Sequence, residues 1–173
     1  MYGPQIRLDP WSEDDLALLR RVNAPEMTTH IGGPETEEQV LSRHRRYLSG
    51  GTGQMFRVTL LPEEIPVGTI GYWERQWRDD VVYETGWSVL PEHQGLGIAA
   101  AAAVAVAERA AGTRAHEELH AFPSVDHPAS NGVCRRAGFT LVGEVDFEYP
   151  PGRPIRCNDW RLSLVPAASA AVG

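Results

Sequence analysis

The sequence predicts an α/β domain in which one mixed sheet carries helices on its faces. Three observations predict it. Apolar residues switch between period-two alternation and helical spacing in the order β-α-α-β-β-β-α-β-α-β-β. Three strand candidates in the middle of the chain follow one another across short polar breaks, and two closely spaced glycines precede a thin, alanine-rich helical run. The 173 residues suit one domain large enough to bury a core without disulfides, expected over residues 1–166 with a frayed tail at 167–173.

The elements follow in order. Ile6 and Leu8 flank Arg7 in a short opening strand. Ser12-Glu13-Asp14-Asp15 is a cap-like acidic first turn for a helix carrying Leu16, Leu18, Leu19 and Val22, and Pro25 ends it. A loop with Gly32, Gly33 and Pro34 leads to a helix from near Glu35, stopped by Gly50, Gly51 and Gly53. Strands are expected at Met55–Leu61, Val67–Trp77 and Val81–Val89, close enough in sequence to form an antiparallel meander. Gln94–Ala111 reads as the alanine-rich helix ended by Gly112, and Leu119–Phe122 as a strand. Pro128–Ala137 is a helix closed by Gly138, and Phe139–Phe147 and Arg156–Val165 complete the sheet.

Composition excludes several chemistries. All 16 basic side chains are arginines, against 23 acidic ones, for a net charge of -7. A chain without lysine can neither hold pyridoxal phosphate as a Schiff base nor supply the lysine of a P-loop ATPase. The acidic balance and scattered arginines give no nucleic-acid footprint and favour an amine-bearing partner. Met1 to Trp11 shows no secretory h-region, and the longest apolar run, 97–107, is about half the ~20 residues that cross a bilayer. Cys134 and Cys157 have no ligand or redox spacing and read as reduced thiols, so a cytoplasmic protein with no membrane association is expected; a homodimer is left open.

The segment Gln94-Gly95-Leu96-Gly97-Ile98-Ala99 carries the functional signal. Glycines at a strand-to-helix turn let the backbone approach a ligand, and free amides at a helix start bind phosphate without any lysine. The loose dinucleotide pattern G-x-G-x-x-[GA] is also met, but Pro91 to Gln94 separate the glycines from their strand, which argues against that fold. His116-Glu117-Glu118-Leu119-His120 spells H-E-x-x-H, yet the zinc chemistry of that motif needs a helix, and on a strand its two histidines lie about 13 Å apart. No metal is expected.

At these residues the sequence resembles the GNAT superfamily of acyl-CoA-dependent N-acyltransferases, in its RimJ/RimL-like branch. Gln94 to Ala99 is similar to the family's pyrophosphate loop, and Glu84 to Val89 followed by Pro91 to the strand that leads into it. Ala129-Ser130-Asn131 with Arg136-Ala137-Gly138-Phe139 resembles the branch's second signature, and Asn158 to Leu164 its closing strand. The resemblance implies a sheet whose central strands splay, with acetyl-CoA as co-substrate and transfer of its acetyl group, or a longer acyl group, to a primary amine. The amine is a protein N-terminus or a small molecule; a non-catalytic acyl-CoA-binding module is the alternative.

It also implies roles. Glu84 is the candidate base, with Ser130 or Cys134 as the acid that protonates the leaving thiolate, because Cys134 stands where much of the family has a tyrosine. Gln94, Gly95, Leu96, Gly97, Ile98 and Ala99 would hold the pyrophosphate, with Arg135 available to a nucleotide phosphate. The backbone of Trp87, Ser88 and Val89 would pair with the pantetheine arm, with Gly86 as a bulge site, and His127 or Asn131 would replace the family's usual asparagine. Spacing puts His127, Ser130, Asn131 and Cys134 on one helix face. Residues 24–34 and 146–158, with Tyr72, Trp73, Trp77 and Tyr83, would flank the acceptor, and Asp146, Glu148 and Asp159 could attract its charge.

Overall fold

The computed structural model describes residues 2–166, so the expected tail at 167–173 lies outside the described residues. Seven strands form one sheet in the order β1-β2-β3-β4-β5-β7-β6. They are β1 (Ile6–Pro10), β2 (Gln54–Leu60), β3 (Ile65–Trp77), β4 (Asp80–Val89), β5 (Glu118–Ala121), β6 (Thr140–Glu148) and β7 (Pro154–Ser163). The helices are α1 (Leu16–Val22), α2 (Glu37–Ser49), α3 (Ile98–Thr113) and α4 (Pro128–Arg136). The predicted order therefore holds throughout. Among the described residues, no helix is long and apolar enough to cross a membrane.

Alternation along each strand sorts the side chains into two cores. Phe56, Val58, Ile70, Tyr72 and Leu119 face the buried alanines and valine of α3, together with Val133 and Cys134 of α4. Met55 and Trp73 face the other way, against Trp11, Leu18, Leu19 and Val40 of the α1–α2 layer. Methyl-sized side chains at Ala102, Ala103, Ala107 and Ala110, all buried, let α3 lie close to the sheet. Thr36 caps α2 by accepting from the Gln39 backbone amide, while the Thr36 amide donates to the Gln39 side-chain oxygen at 2.9 Å, so the helix starts slightly later than the Glu35 expected.

One feature of the sheet positions the site. β4 pairs with β3 along its whole length, but with β5 in parallel only at Tyr83↔Leu119 and Glu84↔His120. Beyond Glu84 the two strands part, which leaves one edge of Thr85–Val89 unpaired by β5. Gly86 is not a bulge: it sits in regular register opposite Gly71, and a Cβ there would come within 3.1 Å of the Trp73 ring. Register shifts lie instead between β2 and β3, at Val58/Thr59, and between β6 and β7, at Leu141/Gly143.

Candidate functional site: a cleft at the strand fork

A cleft of about 610 Å³ opens where β4 leaves β5. Its first half is built mainly from backbone. The strand β4 contributes Trp87, Ser88 and Val89, and the turn beyond it contributes Gln94, Gly95, Gly97, Ile98 and Ala99. Gly95 (φ +76) and Gly97 (φ +81) occupy the left-handed region, where a side chain would be strained. The first backbone bond of α3 runs from the Ala101 amide to the Gly97 carbonyl at 3.1 Å, so the amides before it have no carbonyl within the helix. Gln94 donates its side-chain amide to the Val89 carbonyl at 2.9 Å, tying the loop to the strand end. The Leu96 side chain points to solvent, 58% exposed, and the cleft meets this loop at its glycines.

The helix α4 corrects the reading of a single functional face. His127 and Ser130 line the cleft; Asn131 and Cys134 are turned inward. Asn131 donates to the carbonyls of Ser124 and His127, each at 2.9 Å. Its oxygen accepts from the Asn158 side chain and the Trp160 indole, each at 2.8 Å. Both its donors and both lone pairs are occupied, so it binds α4 to β7 and has nothing left for a ligand. Cys134 is 0% exposed and absent from the cleft lining, so it cannot reach a departing thiolate, and burial pushes its thiol up to about 12. The nine-residue helix packs Val133 and Cys134 into the core, and this sets its rotation. His127 stacks on His30 with ring centroids 4.1 Å apart, and its pKa is lowered by burial and by that neighbour. Arg136, rather than Arg135, reaches the cleft, since Arg135 lies over the Trp160 ring at 5.6 Å.

The second half is built from side chains. Glu26, Met27, Thr29, His30 and Ile31, with Phe147, Tyr149 and Ile155, line it, as expected for the two flanking segments, together with Trp73 and Phe122. Glu84 stands at the fork, its side chain 12% exposed. Burial raises its pKa above the ordinary carboxylate range, opposed by Arg75, whose guanidinium donates to it at 2.9 Å. Arg75 in turn lies over Phe147 at 4.1 Å. Strand pairing of Trp73 with Glu84 is what brings Arg75 there, a register the local pattern did not show.

Other expected residues lie elsewhere. Tyr72 and Tyr83 pack on each other in the core at 4.9 Å, and Trp77 packs on Phe122. Asp159 is buried against His120 at 2.6 Å, so it cannot draw an acceptor; Asp146 is 89% exposed beside Arg156, and Glu148 bonds the Gly152 amide. The H-E-x-x-H residues run through a loop into β5, where His116 meets Glu74 at 2.7 Å while His120 meets Asp159 and Glu118. Without a helix the two rings serve different partners.

The cleft thus joins a strand edge unpaired by β5 and the first amides of α3, groups able to hold an extended arm and a phosphate, to a chamber of side chains. Residues 5–140 match the family model described as acetyltransferase (GNAT) domain, and the chain belongs to that family: it is an acyl-CoA-dependent N-acetyltransferase. An acetyltransferase from Agrobacterium tumefaciens aligns at TM-score 0.74 and 22% identity over 94% of this chain and 92% of its own. The spermidine N-acetyltransferase of Vibrio cholerae, in complex with CoA and spermine, aligns at TM-score 0.76 and 16% identity over 92% and 96%. An aminoglycoside acetyltransferase in complex with coenzyme A gives 0.72 and 16% over 92% and 95%. These structural likenesses concern the fold. No curated protein sequence matches significantly.

Proposed function

We propose that this chain, a RimJ/RimL-like member of its family, transfers the acetyl group of acetyl-CoA to a primary amine, with Glu84 as the base. The observation that carries the reading is the place of Glu84: it lies at the last paired residue before β4 leaves β5, in the same cleft as the free edge of Trp87–Val89 and the start of α3.

The residues present suit the co-substrate. An extended amide-bearing arm can add to the edge of β4 as a further strand, and Gly95 and Gly97 leave the loop open to a pyrophosphate at the positive end of α3. Bound there, acetyl-CoA supplies an activated acyl group as a thioester. The chain's own work concerns the amine. An amine with reference pKa of about 8 to 10 is largely protonated near neutrality, so a base must free its lone pair. A carboxylate with raised pKa is a better proton acceptor than an ordinary one, while the Arg75 guanidinium favours its ionised form and fixes its position. With Cys134 buried out of reach, Ser130 is the one of the two expected acids that lines the cleft, where its hydroxyl can donate a hydrogen bond to the leaving sulfur, with His127 also in the lining.

The test is Glu84→Gln, followed by thiol release from acetyl-CoA across pH. A lost acidic limb and a fall in kcat support the reading; an unchanged rate and profile refute it.

A further inference from the structure

The acceptor half of the cleft differs from a polycation site in two ways. Its walls are Met27, Tyr47, Trp73, Phe122, Phe147 and Tyr149, and the carboxylates lining it are Glu26 and Glu84. Glu84 already faces Arg75, and Arg43, a cation held by Glu35, lines the same chamber. The acidic residues that the sequence offered as attractors are turned away, Asp159 into the core and Asp146 to Arg156. One carboxylate without an ion pair, Glu26, is left to meet a charge.

A polyamine or aminoglycoside brings several ammonium groups; each one placed in this chamber loses hydration, and with one carboxylate free to pair it, a cation–π contact returns only part of that cost. One amine, deprotonated by Glu84, with an apolar body against Trp73 and Phe147, meets no such cost. The chamber is also narrowed on one side: Gly32 of the 25–34 loop sits so near the 149–153 turn that a Cβ on it would approach Pro150 Cδ to 2.9 Å and Arg153 Nη1 to 3.2 Å, so the two loops pack against each other there.

Resting on the acetyl-transfer reading above, we infer that the acceptor is a compact primary monoamine with an aromatic-sized apolar body, rather than a polyamine or an aminoglycoside.

The experiment measures thiol release with 2-phenylethylamine, tryptamine, spermidine, kanamycin and a tetrapeptide beginning with Phe, at low and high salt. We expect kcat/KM at least tenfold higher for the two aromatic monoamines than for spermidine or kanamycin, with KM changing less than twofold with salt. Equal or better turnover of spermidine, kanamycin or the peptide overturns the inference and leaves acetyl transfer standing. Thiol release with none of them counts against acetyl transfer itself. In that case quenching of tryptophan fluorescence on titration still decides the acceptor class: saturable binding of tryptamine's non-fluorescent analogue 2-phenylethylamine, weakened by Trp73→Ala, supports it, and tighter binding of spermidine overturns it. The exposed rim substitution Ile31→Glu adds the missing counter-charge and should raise relative use of spermidine several-fold; no gain counts against the charge argument.

Discussion

The two halves of the cleft present different materials to their ligands. Toward Trp87–Val89 and the start of α3, the surface is backbone: an unpaired strand edge, two left-handed glycines and the first amides of a helix. Toward Glu84, it is side chains contributed by β3, β4, the 25–34 loop and the 147–155 segment. Backbone chemistry is the same in every protein, so the first half suits an invariant ligand; side chains differ freely, so the second half can be specific. Substitutions should follow the same division: in the first half they matter through backbone conformation, in the second through the groups they remove.

The largest effect should come from the acceptor half. Glu84→Gln is expected to lower kcat by about 10² to 10³ through loss of the base while acetyl-CoA binding, followed by calorimetry, stays near wild type. Weaker acetyl-CoA binding would show that the halves are not separable.

Next in size is the support beneath Glu84. His120, its parallel neighbour, is buried with Asp159 at 2.6 Å. Burial works against the charged ring, but Asp159 and Glu118 prevail and hold its pKa above the ordinary value. A raised pKa stabilises the fold most below the unfolded value of about 6.5, and that contribution is lost as pH rises through the folded pKa. Asp159→Asn should therefore lower stability by about 3 kcal/mol near pH 6 and by less above it, read from denaturant midpoints. A pH-independent loss would contradict the charged pair.

A smaller effect is expected in the backbone half. Gly97→Val forces a branched residue into φ +81, at about 1–2 kcal/mol, and should raise the KM for acetyl-CoA about tenfold with little change in that for the amine. Raising both equally would merge the halves. The smallest change at alkaline pH belongs to Arg75→Gln. Arg75 opposes the burial that raises the Glu84 pKa, so its loss should move the acidic limb of kcat/KM to higher pH and leave the alkaline plateau in place. A lowered plateau would mean that Arg75 does more than position Glu84.

How much was legible follows from the same contrast. Gln94 to Ala99 could be read directly, because a left-handed turn into a helix is a local property of adjacent residues. The face of α4 could not. Helical spacing grouped His127, Ser130, Asn131 and Cys134, but packing against β7 rotated Asn131 and Cys134 inward, and spacing alone carries no information about rotation. Likewise Asp159 looked like a free carboxylate until β5 paired with β7 and placed His120 against it.

By itself, then, the sequence determined the order of elements, the phosphate-ready turn and the exclusion of lysine chemistry, since propensity, periodicity and composition act over short stretches of chain. Only the tertiary structure decided which carboxylate stands in the cleft beside Arg75, that Ser130 lines it while Cys134 does not, and how apolar its side-chain half is. Those depend on strand register and loop packing, which bring together residues as far apart as Met27 and Tyr149.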